Sequence, residues 1–161
     1  MERIWATQYQ QEPRPEAGTI FKFWTNYDIP PVFKSVVVGF DMALTAKERS
    51  DYTAWDAWGF RDGRAYLIEV GRIKAEGGDA ERHIGMFAEK MRRLHHGAAV
   101  RVVHRGKVHI DKLAGQFLSR RSLPVLGLKM PVGDLEAIAN LVVPYFEAGR
   151  AVVPSGLPDW W

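Results

Sequence analysis

The chain has 161 residues, 47% of them apolar and 25% charged, with a net charge of +3, the balance of one soluble globular domain. It holds no cysteine, which excludes a disulfide framework, a thiolate metal site and a cysteine nucleophile. No apolar run reaches the roughly 18–20 residues of a membrane helix, and the opening Met1-Glu2-Arg3-Ile4-Trp5 lacks the regions of a secretory signal, so no membrane partner and a cytoplasmic setting are expected.

Residues 1–34 read as an irregular arm. Gln10, Gln11, Pro13, Arg14, Pro15 and Gly18 break any period, and Pro30-Pro31 closes the segment. Its aromatics, from Trp5 to Tyr27, predict that it packs on the body or on another domain. The first strand is 35–41, where Val36-Val37-Val38 is β-branched throughout, and the short apolar run predicts burial on both faces. Residues 42–50 form a polar excursion. A second strand covers 51–60. Arg61-Asp62-Gly63-Arg64 is a hairpin turn with Asp-Gly at its centre, and 65–73 is the third strand, pairing back on the second.

Gly77-Gly78 breaks the chain, and Asp79 has the chemistry of an N-cap for a helix running to His96. Ile84, Phe87, Ala88, Met91 and Leu94 fall on one face of that helix, and Gly97 suits its C′ position. Residues 98–103 and 108–111 are strand-like, 113–120 a short helix, and 123–129 another strand. Asp134 caps a last helix towards Ala148, which Pro144 should kink or break. Gly149 ends it, and Ala151-Val152-Val153 forms a short edge strand. The order gives an α/β fold: a mixed β-sheet of three antiparallel strands followed by parallel strands, flanked by helices.

Charge is unevenly spread. Residues 82–129 hold eleven bases against Glu89 and Asp111, a local +9, while the remainder carries −6. That asymmetry fits either a polyanion-facing surface or a solvated basic face. Among the acids, Asp41 stands at the end of the first strand, where a carboxylate needs a cation or a donor. Asp51 begins the next strand, and Asp111 ends Val108-His109-Ile110. If the helical crossover makes that later strand parallel to the first, Asp41 and Asp111 emerge at one sheet edge. Converging carboxylates suit Mg²⁺ or Mn²⁺, and two such ions about 3.5–4 Å apart promote phosphodiester cleavage. The commoner role of an Asp at a strand end is turn former or helix cap. The histidines show no ligand spacing, and there is no Walker A or G-x-S-x-G sequence.

In order along the chain, several segments resemble the C-terminal nuclease domain of the phage terminase large subunit, the DNA-packaging motor. Trp5 to Pro13 is similar to the family's "aqYqqeP" and Gly18 to Phe23 to its "G.if.". Val36 to Ala43 resembles the first nuclease strand with its metal-binding aspartate, which places that role on Asp41. Ser50 to Ala54 resembles "sD.ta", Tyr66 to Arg72 "yllDv.r" with Glu69 for the usual Asp, and Asp111 to Gln116 "EDKasGq". Phe146 to Pro154 resembles "fEaGRv..P", and Pro158-Asp159-Trp160 the "pW" that follows.

The resemblance implies a ribonuclease-H-like fold and a metal-dependent endonuclease that cuts double-stranded DNA concatemers during genome packaging. It implies Asp41 and Asp111 as catalytic residues, Asp41, Asp111 and Asp51 as ligands of a two-metal Mg²⁺ or Mn²⁺ site, and DNA contacts from Arg72, Lys74, Arg105, Lys107, Lys112, Arg120, Arg121 and Lys129. The implied partners are double-stranded DNA, the terminase ATPase domain, the small terminase subunit and the portal. Residues 1–34 then correspond to the ATPase–nuclease connection and 35–161 to the nuclease domain, without its C-terminal end. Three departures stand out. Ile110 replaces the Glu of "EDK", and Asp111, one residue later, faces the other side of a regular strand. Gly133 to Ala139 lacks the Lys and Arg of "gDKvtRA". The family's last aspartate belongs to a "hDD..DA" segment after the "pW". These departures keep open a second function, a nuclease-like module that binds DNA or docks on partners without cutting. Another ribonuclease-H-like enzyme, a junction resolvase or integrase, is disfavoured by the "QYQQEP" arm.

Overall fold

A computed structural model describes residues 20–21, 24–41, 52–75, 77–105, 125–128 and 135–158. Its elements are β1 (Thr25–Tyr27), β2 (Ser35–Asp41), β3 (Thr53–Arg61), β4 (Arg64–Ile73), α1 (Gly77–Leu94), β5 (Ala99–Arg105), β6 (Val125–Leu128), α2 (Leu135–Glu147) and β7 (Ala151–Pro154). The seven strands form one sheet in the order β1-β7-β4-β3-β2-β5-β6. β3 alone runs against the others.

Local chemistry sets the first hairpin. Asp62 and Gly63 both take positive φ, 49° and 76°, the two left-handed residues of a type I′ turn. They join β3 to β4 with Arg61 opposite Arg64. The α1 crossover then brings the chain past β3 and β2, so β5 pairs parallel to β2, from Ser35↔Ala99 to Phe40↔His104. The C-terminal ends of β2 and β5 therefore lie at one sheet edge.

Strand β2 alternates: Val36, Val38 and Phe40 are buried and their neighbours partly exposed. The buried set packs under Ile84, Phe87, Ala88 and Met91 of α1, with Val100 and Val102 of β5 beside it. The expected burial of this strand on both faces is thus corrected, because among the described residues a helix covers only one face at its level. A second cluster on the other face joins Leu67, Phe146 of α2, Ala151 and Val153, with Phe21, Trp58 and Val70 packed against it.

Several expectations change. Asp79 lies inside the first turn of α1, where it pairs with Arg82, because the helix already begins at Gly77. Leu94, the last residue of α1, is exposed, so the buried stripe ends at Met91. Pro144 sits within α2 without ending it. Its ring and Asn140, whose carbonyl loses the usual amide donor, both face water, which offsets the missing bond. Gly149, at φ 62°, closes α2 as expected: its N–H donates to the Phe146 carbonyl (3.0 Å) and Arg150 N–H to the Tyr145 carbonyl (2.8 Å), a Schellman pair. Strand β7 is not an edge. Residues 25–27, inside the segment read as irregular, form β1 and pair parallel outside it, Thr25↔Val152 to Tyr27↔Pro154. The expected strand at 108–111, the helix at 113–120 and the cap at Asp134 lie outside the described residues.

Candidate active site

Asp41 is the last residue of β2 and is exposed. Its register partner is Ala54, whose own partner on the next strand is Arg72. Alternation puts Asp41, Gly39, Ala54, Asp56, Val70 and Arg72 on the same face of the sheet, away from α1. There Gly39, Asp41, Ala54, Asp56 and Val70 line a shallow groove of about 340 Å³, whose walls also include Phe40, Trp55 and Gly71.

Asp56 is the residue the sequence reading missed. It lies opposite Gly39, so it is the diagonal neighbour of Asp41, a relation that sets Cβ atoms roughly 7 Å apart in an antiparallel pair. Gly39 leaves room for its carboxylate: a Cβ at residue 39 would stand 2.5 Å from Asp56 Oδ1. Burial pushes the Asp56 carboxyl above the usual carboxylate range, opposed by hydrogen bonds from Trp58 Nε1 (3.2 Å to Oδ2) and the Gly39 backbone. The available signal was a lone acid inside the strand Thr53-Ala54-Trp55-Asp56-Ala57-Trp58. An upward shift at a carboxyl lining a groove is the electrostatic pattern of functional sites.

Two implied DNA-contacting cations lie on this rim. Arg72, in β4, and Lys74, just beyond it, stand over the Tyr52 ring, with Arg72 Cζ 4.6 Å and Lys74 Nζ 5.0 Å from its centroid. Arg105 ends β5 at the same edge. Asp51, Asp111, Lys107, Lys112, Arg120, Arg121 and Lys129 lie outside the described residues, so their expected convergence with Asp41 is not part of this geometry. Glu69, at the family's usual Asp position, is on the α1 face and pairs with Lys90 (2.5 Å), which separates it from the groove. Among the described residues no three His, Asp or Glu side chains gather as a metal cage. Asp41 and Asp56, diagonal neighbours on one face, offer oxygen donors, the ligand type of a hard divalent cation.

No protein-family sequence model and no curated protein matches the chain. Solved structures do. The large terminase of a thermophilic bacteriophage superposes with a TM-score of 0.65 over 87% of this chain and 34% of its own, at 13% identity. The large terminase nuclease of a thermophilic phage named G20c, with bound magnesium, gives 0.55 over 88% of this chain and 77% of its own, at 13% identity. The human cytomegalovirus terminase nuclease domain gives 0.56 over 85% and 73%, again at 13%. The chain carries the ribonuclease-H-like fold of terminase nuclease domains. It spans about a third of the first of these large terminases and about three quarters of the two nuclease domains. The strand order β4-β3-β2-β5-β6, three antiparallel strands followed by parallel ones, is the mixed sheet the resemblance implied. No described helix is long and apolar enough to cross a membrane.

Proposed function

We propose that this chain is the nuclease domain of a terminase large subunit, hydrolysing phosphodiester bonds of double-stranded DNA during genome packaging with Mg²⁺ or Mn²⁺. The observation that carries the reading is Asp41: the central strand of a terminase-nuclease-like sheet ends in a carboxylate that opens, with Asp56, on a groove at the sheet edge.

Asp41 is the residue that would hold the cation, with Asp111 and Asp51 as the further ligands the resemblance implies. Bound there, a divalent ion supplies charge neutralisation at the phosphodiester being displaced. Asp56 lines the groove behind Asp41, and burial raises its carboxyl above the usual carboxylate range, which suits it to exchange a proton there. Arg72 and Lys74 present positive charge along the rim, where phosphates flanking the cut would lie. Lys107, Lys112, Arg120, Arg121 and Lys129, with Arg105, are the further DNA contacts the resemblance implies. The ATPase domain, small subunit and portal are the partners, in the host cytoplasm.

The test is plasmid nicking in Mn²⁺ by the wild-type chain and by Asp41→Asn. Loss of a Lewis acid worth several kcal/mol in the transition state predicts a drop of at least about a hundredfold. Equal nicking by both proteins removes Asp41 from the mechanism. Salt-sensitive DNA binding without nicking by the wild type, under either metal, favours the non-cutting module that Ile110 and the altered 133–139 segment keep open.

A further inference from the structure

Tyr52 precedes β3 by one residue and, by alternation, shares a face with Ala54 and Asp56. The register that pairs Thr53 with Ile73 sets it across from Lys74, with Arg72 diagonal to it. Both cations stand over its ring, at 4.6 Å and 5.0 Å from the centroid, inside the roughly 6 Å at which a ring attracts a cation. Two like charges two residues apart on one face repel each other, and a ring shared between them offsets that repulsion. The pair is also placed with respect to the groove. Arg72 lies two strands from Asp41, about 10 Å at roughly 4.8 Å per strand, which is two to three nucleotide steps at about 3.4 Å of helix axis each.

We propose that Tyr52 is a positioning residue whose ring holds Arg72 and Lys74 together as a two-cation clamp for a nucleic-acid backbone phosphate beside the Asp41 groove. The inference rests on the nuclease reading above and deepens it. Arginine grips a phosphate through two parallel N–H bonds and lysine as a point charge. Both side chains carry large rotamer entropy, and holding them in advance lowers the ordering cost of binding. A clamp of this kind reads phosphate and not base edges, so it sets the register of the duplex without selecting its sequence.

The experiment follows binding of a fluorescently labelled short DNA duplex to the full chain across a salt series, with EDTA present so that nothing is cut. Arg72→Gln and Lys74→Gln should each lower the slope of log affinity against log salt by about 1. Tyr52→Leu should weaken binding about three- to tenfold, the ordering cost of a long side chain that the ring no longer holds in place, and flatten the slope. Tyr52→Phe keeps the ring and should restore both. Added to the Arg72→Gln/Lys74→Gln double variant, Tyr52→Leu should change nothing further, because Tyr52 acts through the two cations. A Tyr52→Leu chain that binds like the parent, or that weakens the double variant again, overturns the clamp while leaving the nuclease reading intact. Unchanged slopes in both charge variants overturn it independently of how the Leu variant folds. Failure of the parent chain to bind duplex overturns the nuclease reading and the clamp together.

Discussion

Gly71 and Trp55 face each other across β4 and β3 and both line the groove. The indole lies over the bare backbone of Gly71. A Cβ there would collide first with Trp55 Cε2, and would stand 2.5 Å from Nε1 and 2.6 Å from Cζ2. The ring has little room to retreat, because Phe87 and His83 of α1 stand at 6.1 Å and 6.3 Å between centroids. One methyl forced into such packing costs about 1–3 kcal/mol. At about 2–4 °C per kcal/mol for a chain of this length, Gly71→Ala should melt roughly 2–12 °C below the wild type. Gly156→Ala is the control, since a Cβ there meets nothing within 4 Å, and it should change stability by less than about 0.5 kcal/mol. Thermal denaturation followed by far-UV circular dichroism gives the midpoints, and tryptophan emission reports displacement of the indole. A Gly71→Ala chain that melts with the Gly156→Ala control would show that β3 and β4 do not hold Trp55 against the residue 71 backbone.

Three further predictions concern titration and packing. The folded Asp56 carboxyl lies above its unfolded value near 3.8 because it is buried. Its protonated form is therefore the more stable one, and stability declines as pH rises from that unfolded value through the folded one. Asp56→Asn should remove this slope and unfold at higher urea than wild type at neutral pH while losing nicking activity; coincident urea midpoints from pH 4 to 8 would contradict the burial. His95 shows the opposite linkage. Its Nε2 is buried beside Phe33 with no hydrogen-bond partner among the described residues, and burial lowers its pKa from 6.5. Stability should hold above the unfolded value and fall as pH drops below it towards the folded one, a slope that His95→Gln should flatten in the same urea series. Met91, fully buried between α1 and the sheet, should cost about 2–5 kcal/mol as Met91→Ala, measured by urea denaturation; a loss under about 1 kcal/mol would mean that α1 is not seated on β2 and β5.

What the sequence determined by itself was local. Alternation and β-branching marked β2, Asp62-Gly63 marked the hairpin, the 3.6-residue stripe from Ile84 to Met91 marked α1, and Gly149 marked the end of α2, because each signal resides in neighbouring residues. Asp41 was legible for the same reason, as an acid closing an apolar strand. Only the tertiary structure decided that β7 is interior, because the strand outside it comes from Thr25–Tyr27, about 127 residues earlier in the chain, and three residues carry no readable period. Asp56 belongs to that second class. A carboxylate in a strand could face either side until the register set it over Gly39, next to Asp41 and half-buried. The Tyr52 ring likewise met Arg72 and Lys74 only through the pairing of β3 with β4. Periodicity fixes which side a residue takes relative to its neighbours along one strand. Which residues of other strands share that side is fixed by long-range pairing, whose free energy is spread over the whole sheet and is written in no single segment.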